Sequence, residues 1–158
     1  MNQLLQRLED RIVALEDREA IRNLIATYGP LADSGDATAI AALWTADGAY
    51  EVVGFATAKG QREIAALIEG PTHQALMAQG CAHLLGPVTI DVNGDTATAR
   101  GHSVVFRNAP NGADSFEVYR VAANRWSLMR TGEGWRVVHR ANALLDGAEA
   151  ARILLTLS

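Results

Sequence analysis

The chain is poor in reactive side chains. It holds one cysteine, Cys81, and one lysine, Lys59, among 158 residues. A lone cysteine makes neither an internal disulfide nor a thiolate-based zinc site, and imine chemistry would rest on Lys59 alone. Basic residues are outnumbered, 14 Lys and Arg against 18 Asp and Glu, for a net charge of −4. That is the wrong sign for a nucleic-acid footprint. No apolar run approaches the ~18 residues of a membrane span. The stretch from Met1 to Asp17 is charged throughout and lacks the apolar core of a signal peptide. A soluble, cytoplasmic protein with neither a nucleic-acid nor a membrane partner is the expectation. Repeats, low-complexity linkers, P-loops, G-x-S-x-G elbows and dinucleotide fingerprints are missing too. The four histidines (His73, His83, His102 and His139) form neither H-x-H nor H-x-x-x-H, so neither a metal site nor a cofactor is expected.

What remains is a 49% hydrophobic chain, the length of one domain and rich enough to build a core. Leu5, Leu8, Ile12 and Leu15 mark a narrow helical stripe, read as an arm over residues 1–16 that packs on its own domain or on a neighbouring subunit. A core follows over residues 17–145 and a helical tail over 146–158. The main helix should kink or end at Gly29-Pro30. Asp36 suits the N-cap of a second helix, Ala37 to Trp44. Asp47-Gly48 reads as a turn before a strand, Ala49 to Phe55. A third helix over Gly60 to Met77 breaks at Gly70-Pro71. Period-two strands then cover Cys81–Val92, Thr96–Arg107, Ser115–Arg130 and Trp135–Asn142, with turns at Asn93-Gly94, Asn111-Gly112 and Gly132 to Gly134. Gly86-Pro87 suggests an edge strand or a bulge. Helices followed by a meander describe an α+β fold: a cone-shaped, curved antiparallel sheet wrapped by N-terminal helices. Several strands are apolar on both parities, so the second sheet face should be covered by another subunit.

Protein-borne acid–base chemistry near neutral pH must therefore run through histidines and carboxylates. His83 shares strand parity with Cys81 and Leu85, which points it inward. Asp33 follows a helix C-terminus, where a carboxylate gains from a cationic partner. Tyr28 lies on the last turn of that helix. Arg140, among apolar residues on the last strand, would be costly to bury without an anion. His102 has the parity of Val104 and Phe106, so it should face a pocket or the core. His73 and His139 read as surface or interface residues.

Several short pieces recur in a fixed order: Leu15-Glu16-Asp17-Arg18-Glu19-Ala20-Ile21-Arg22, Tyr28-x4-Asp33, Leu43-Trp44-x2-Asp47-Gly48, His83 ahead of Asn93-Gly94-Asp95, and Gly134-Trp135-Arg136 leading to Arg140. In this the chain resembles the SnoaL-like, polyketide-cyclase-like branch of the nuclear-transport-factor-2-like superfamily, a cystatin-like α+β barrel. The pattern is nearest to its dehydratase and dehydrochlorinase members, such as scytalone dehydratase, hexachlorocyclohexane dehydrochlorinase and bile-acid 7α-dehydratase. The resemblance implies a cofactor-independent lyase in which His83 abstracts a carbon-bound proton, Asp33 orients it, and Tyr28 or Arg140 stabilises developing charge. Tyr50, Cys81, Leu85, Val104 and Phe106 are then expected around a small, largely apolar substrate, cyclic molecules included, with His102 and Asn124 as polar contacts. It also implies a homo-oligomer, a trimer before a dimer. Isomerisation by proton shuttling stays open as an alternative. So does a non-catalytic role, as a small-molecule binding protein or the small subunit of a ring-hydroxylating oxygenase.

Overall fold

The computed structural model describes residues 2–110 and 115–157. The chain opens with one long helix, α1 (Asn2–Ser34), then a short one, α2 (Ala37–Ala41). Strands β1 (Trp44–Val52) and β2 (Ala56–Lys59) precede helices α3 (Gly60–Glu69) and α4 (Pro71–Gln79). Four long strands follow: β3 (Cys81–Asn93), β4 (Thr96–Asn108), β5 (Phe116–Thr131) and β6 (Gly134–Leu144). Helix α5 (Glu149–Leu155) ends the described chain. The expected turn at Asn111-Gly112 lies outside the described residues.

The α+β layout is as expected, with the N-terminal helices on one side of a curved sheet. Two details differ. The six strands run in the order β2-β1-β6-β5-β4-β3, so the sheet is open and not a closed barrel. Every pairing is antiparallel except β1 with β6, which is parallel. The chain leaves β1 through the helices and returns by the meander to lie beside it, a non-local pairing that no turn signal announces. The Asp47-Gly48 turn is instead a bulge within β1, where the register with β6 slips between Trp44 and Ala49.

Helix α1 runs straight through the expected break. Pro30 sits inside it, on the exposed side with Ala26, so the carbonyl freed by the missing N–H can be solvated. Gly29 has a different task. A Cβ there would overlap the His83 carbonyl oxygen, so only glycine lets α1 lie this close to β3. Near its middle α1 is fastened by Asp17. The Arg130 Nη1 and Nη2 atoms each donate to this carboxylate at 2.7 Å, and Trp135 Nε1 donates at 3.0 Å. The arm stripe of Leu5, Leu8, Ile12 and Leu15 is exposed and does not pack on the described chain.

The core fills the space between α1 and the sheet. Ile21, Ile25 and Tyr28 of α1 meet Ile40, Trp44, Ile64, Ile68, Trp126, Leu128, Trp135 and Val137. Two bulges tune which residues face it. At Gly86-Pro87 the register of edge strand β3 slips between Leu85 and Val88. The inward parity thereby switches from Cys81, His83 and Leu85 to Val88, Ile90 and Val92. On β6 a slip near Val138 keeps Trp135 and Val137 on the same buried face as Arg140 and Asn142. Behind β5 and β6, the chain's own α5 covers Ala123 and Ala143. That part of the outer face therefore needs no second subunit.

Candidate functional site

A cavity of about 760 Å³ opens between α3–α4, the β1–β2 hairpin, the β5–β6 wall and α5. Tyr28, Tyr50, His73 and His83 line it together with apolar residues such as Val52, Ile68 and Leu76, and with Arg120 and Asn142.

The end of α1 brings Asp33 against the start of β3. Its carboxylate accepts the His83 backbone N–H on both oxygens, at 3.1 and 3.0 Å. It also meets His83 Nδ1 at 2.7 Å. A carboxylate oxygen only accepts here, so Nδ1 carries the proton and Nε2 keeps its lone pair. The His83 side chain is 14% exposed. Burial lowers its pKa below the ordinary value of 6.5, while Asp33 pulls the other way. Near pH 7 the ring is neutral.

Cys81 sits behind this pair. Its thiol donates to Asp33 Oδ1 at 3.6 Å, and burial, aided by Asp33, pushes its pKa up to about 11. Asp33, Cys81 and His83 offer three ligand atoms within 4.8 Å of one another. A cation there would have to break the Asp33–His83 bond and find a thiolate that the surroundings disfavour, so the trio suits hydrogen bonding better than metal binding.

Tyr28 is 6% exposed, and burial raises the pKa of its phenol far above the usual 10.0. It is a hydrogen-bond donor at any working pH. Its ring meets Trp44, Tyr50 and Trp126 edge to face, with centroids 6.2–6.5 Å apart. Into this cluster Arg140 projects its guanidinium, 4.3 Å from the Tyr28 ring centroid, 4.6 Å from Tyr50 and 4.2 Å from Trp126. Each aromatic face stabilises a desolvated cation by roughly 2 kcal/mol. Arg140 also donates from Nε and Nη2 to Asn124 Oδ1 at 3.0 and 2.8 Å.

Of the residues expected in the pocket, Tyr28, Tyr50 and His83 line the cavity. Asp33, Cys81, Arg140 and Asn124 stand directly behind the lining. Four expectations are corrected. On β4 the alternate positions Ala97, Ala99, Gly101, Ser103 and Val105 are buried, with Arg100 buried too on the opposite parity; the alternation puts His102, Val104 and Phe106 on the outer face, His102 exposed. Small side chains occupy the inner face because Trp126 fills the space beside Ala99, its register partner. Leu85 points inward but packs on the core beside α1, near Ile25 and Pro87, away from the cavity.

His73 is the residue sequence reasoning misplaced. It begins near the N-terminus of α4, lines the cavity, and lies 5.5 Å from the His83 ring, centroid to centroid. The Ala32 carbonyl accepts from its Nε2 at 2.8 Å, which leaves Nδ1 as the free ring nitrogen. Arg120 and Asn142 were also missed. The i, i+2 spacing of Arg140 and Asn142 was a usable signal for the latter. His139 does lie outside the cavity, 3.2 Å from the Glu51 carboxylate.

The site therefore combines an inward-facing histidine on the first meander strand, an aspartate at the end of the first helix and an aromatic cavity. The chain belongs to the family of SnoaL-like domains, whose pattern matches residues 13–141. That family lies within the NTF2-like superfamily, which includes polyketide cyclases, isomerases and dehydratases. A crystal structure of an NTF2-like protein with a cystatin-like fold from Novosphingobium aromaticivorans is similar at 63% identity and a TM-score of 0.93, covering 97% of each chain. ActVI-ORFA of Streptomyces coelicolor shares the fold at 17% identity and a TM-score of 0.71, over 83% of this chain and 98% of its own. A protein of unknown function with a cystatin-like fold from Nostoc punctiforme does so at 20% identity and a TM-score of 0.67, over 85% and 95%. No curated protein matches the chain. Among the described residues, no helix is long and apolar enough to cross a membrane.

Proposed function

We propose that the cavity carries out a cofactor-independent elimination, dehydration or dehydrohalogenation, with His83 as general base and Asp33 as its partner. The observation that carries this reading is the 2.7 Å bond from Asp33 to His83 Nδ1 at the wall of an aromatic cavity. It leaves a neutral imidazole with its Nε2 lone pair uncommitted. In the reaction, Nε2 takes a proton from an acidified C–H. The electrons of that bond become the new C=C bond, and the leaving group departs with its own bonding pair. Asp33 stabilises the imidazolium that forms, and general-base catalysis of this kind supplies about 10²–10⁴-fold. Tyr28 donates a hydrogen bond to the oxygen or halide where negative charge gathers, and Arg140 supports that charge from behind the rings. The apolar walls exclude water and strengthen both effects.

The test is turnover of small cyclic alcohols and halides bearing an activated C–H, followed by mass analysis of the product. His83→Ala and Asp33→Asn should each lower kcat/KM by about 10²-fold or more, with loss of water or halide in the wild-type product. Near-wild-type rates in either variant overturn the dyad. A product of unchanged mass would replace elimination by isomerisation. A homo-oligomer remains part of the proposal, supported by the exposed stripe of α1 and by Leu84 of β3 and Val118 and Val121 of β5, all exposed. Light scattering measures its size.

A further inference from the structure

The β5–β6 wall of the cavity carries more positive charge and more hydrogen-bond donors than the described protein satisfies. Arg120 Nη2 donates to Asn142 Oδ1 at 2.7 Å, and Asn142 Nδ2 donates to Asn124 Oδ1 at 2.9 Å. The same Asn124 oxygen also takes both Arg140 bonds, so one carbonyl with two lone pairs serves three donors. Asn124 Nδ2 is spent on Ser103 Oγ at 2.8 Å. Arg140 is 2% exposed and its Nη1 has no partner.

The acids do not balance this. Among the described residues Arg100, Arg107, Arg130 and Arg136 each have a carboxylate partner, whereas Arg120 and Arg140 have none. Asp33 is committed to His83. Asp146 lies at the cavity rim, but it is exposed and its carboxylate accepts the Ala148 N–H. Two guanidinium charges joined through two asparagines, one of them nine-tenths buried, would be costly to keep without a counter-anion. The aromatic cage offsets part of that cost for Arg140 only. Arg120, by contrast, lines the cavity itself and is held in place by its bond to Asn142.

We infer that this wall is an anion-docking subsite, and that the substrate is an apolar molecule carrying a carboxylate or an equally acidic planar group held by Arg120 and Asn142. A guanidinium fork matches a planar carboxylate in two parallel bonds. The remaining walls, with Val52, Ile68, Leu76 and Ala143, suit an apolar body. Docking on β5–β6 leaves His83, on β3, to face the C–H that is cleaved. The inference rests on the reading of this cavity as the substrate site and adds to it the charge of the substrate.

Calorimetric binding of 2-naphthoate and of the isosteric neutral 2-naphthamide at neutral pH tests it. The wild-type protein should bind naphthoate about tenfold or more tightly than the amide, as expected for a charge-assisted pair, and added salt should narrow the gap. Arg120→Gln should erase the preference by weakening naphthoate binding more than amide binding, and Arg120→Lys should restore part of it. Equal affinities, no saturable naphthoate binding at millimolar concentration, or a full preference in folded Arg120→Gln would each overturn the inference. Binding does not depend on turnover. Loss of activity in His83→Ala without anion preference would therefore sink this subsite and keep the base. Anion preference with full activity in His83→Ala would do the reverse.

Discussion

Arg130 and Arg140 lie on neighbouring strands, both stacked on aromatic rings, but Arg130 is partly exposed where Arg140 is buried, and their partners differ. Arg130 lies 4.7 Å from the Trp135 ring centroid and spends its donors on two acids, Asp17 at 2.7 Å through two bonds and Asp95 at 2.9 Å. Arg140 is enclosed by three rings and reaches only an amide oxygen. The first charge is neutralised within the fold and joins α1 to β5 and β6. The second is kept unpaired beside a cavity, where a field aimed at substrate or transition-state charge has use. Charge neutralised by the chain marks a fastening; charge left over marks a site.

Substitutions in the two regions can break this contrast. Arg140→Leu should cost about 10²–10³-fold in kcat/KM while leaving the melting temperature equal or higher, because an unpaired buried cation is removed. A large fall in stability with little change in rate would show that Arg140 is a fastening after all. Gly29→Ala acts at the site end of α1. Its new methyl group meets the His83 carbonyl, so β3 must shift, at a cost of about 1–3 kcal/mol together with most of the activity. Calorimetry and turnover on the same sample separate the two. Asp17→Asn acts at the fastening. It should lower stability by about 2 kcal/mol, or roughly 4–8 °C in melting temperature, with full activity below the transition.

Acid sharpens the same contrast. The Arg130 guanidinium, by its hydrogen bonds, holds Asp17 below the usual 3.8. Its contribution to stability is therefore complete above about pH 3.8 and is lost as pH falls through the depressed value. His83, depressed by burial from 6.5, is neutral above its lowered pKa. Activity should therefore fall on acidification through an apparent pKa below 6.5.

Much of this was legible in the order of residues. The helix-then-meander layout followed from apolar periodicity and turn dipeptides, and both readings of Gly86-Pro87 hold, since β3 is an edge strand and carries the bulge. The parity of His83 was readable from its alternation with Cys81 and Leu85, and Leu84 between them is exposed. The rest depended on distant partners. The parallel β1–β6 pairing joins residues on either side of two helices and four strands. Large apolar side chains suggested the wrong face of β4, because curvature against Trp126 reserves the inner face for alanine, glycine and serine. His73 reaches the cavity only because α4 docks beside the end of α1, where the Ala32 carbonyl accepts its proton. Asn142 gains its meaning from Asn124, its cross-strand partner, and Arg120 from its bond to Asn142.

The protonation state of His83 tests the central claim most directly. Nitrogen-15 NMR of histidine-labelled protein, titrated across neutral pH, reads both ring nitrogens of His83. The account predicts a neutral ring at pH 7 with the proton on Nδ1, toward Asp33, a bare Nε2, and protonation only below pH 6.5. A proton on Nε2 at pH 7, in a neutral or a charged ring, would contradict it.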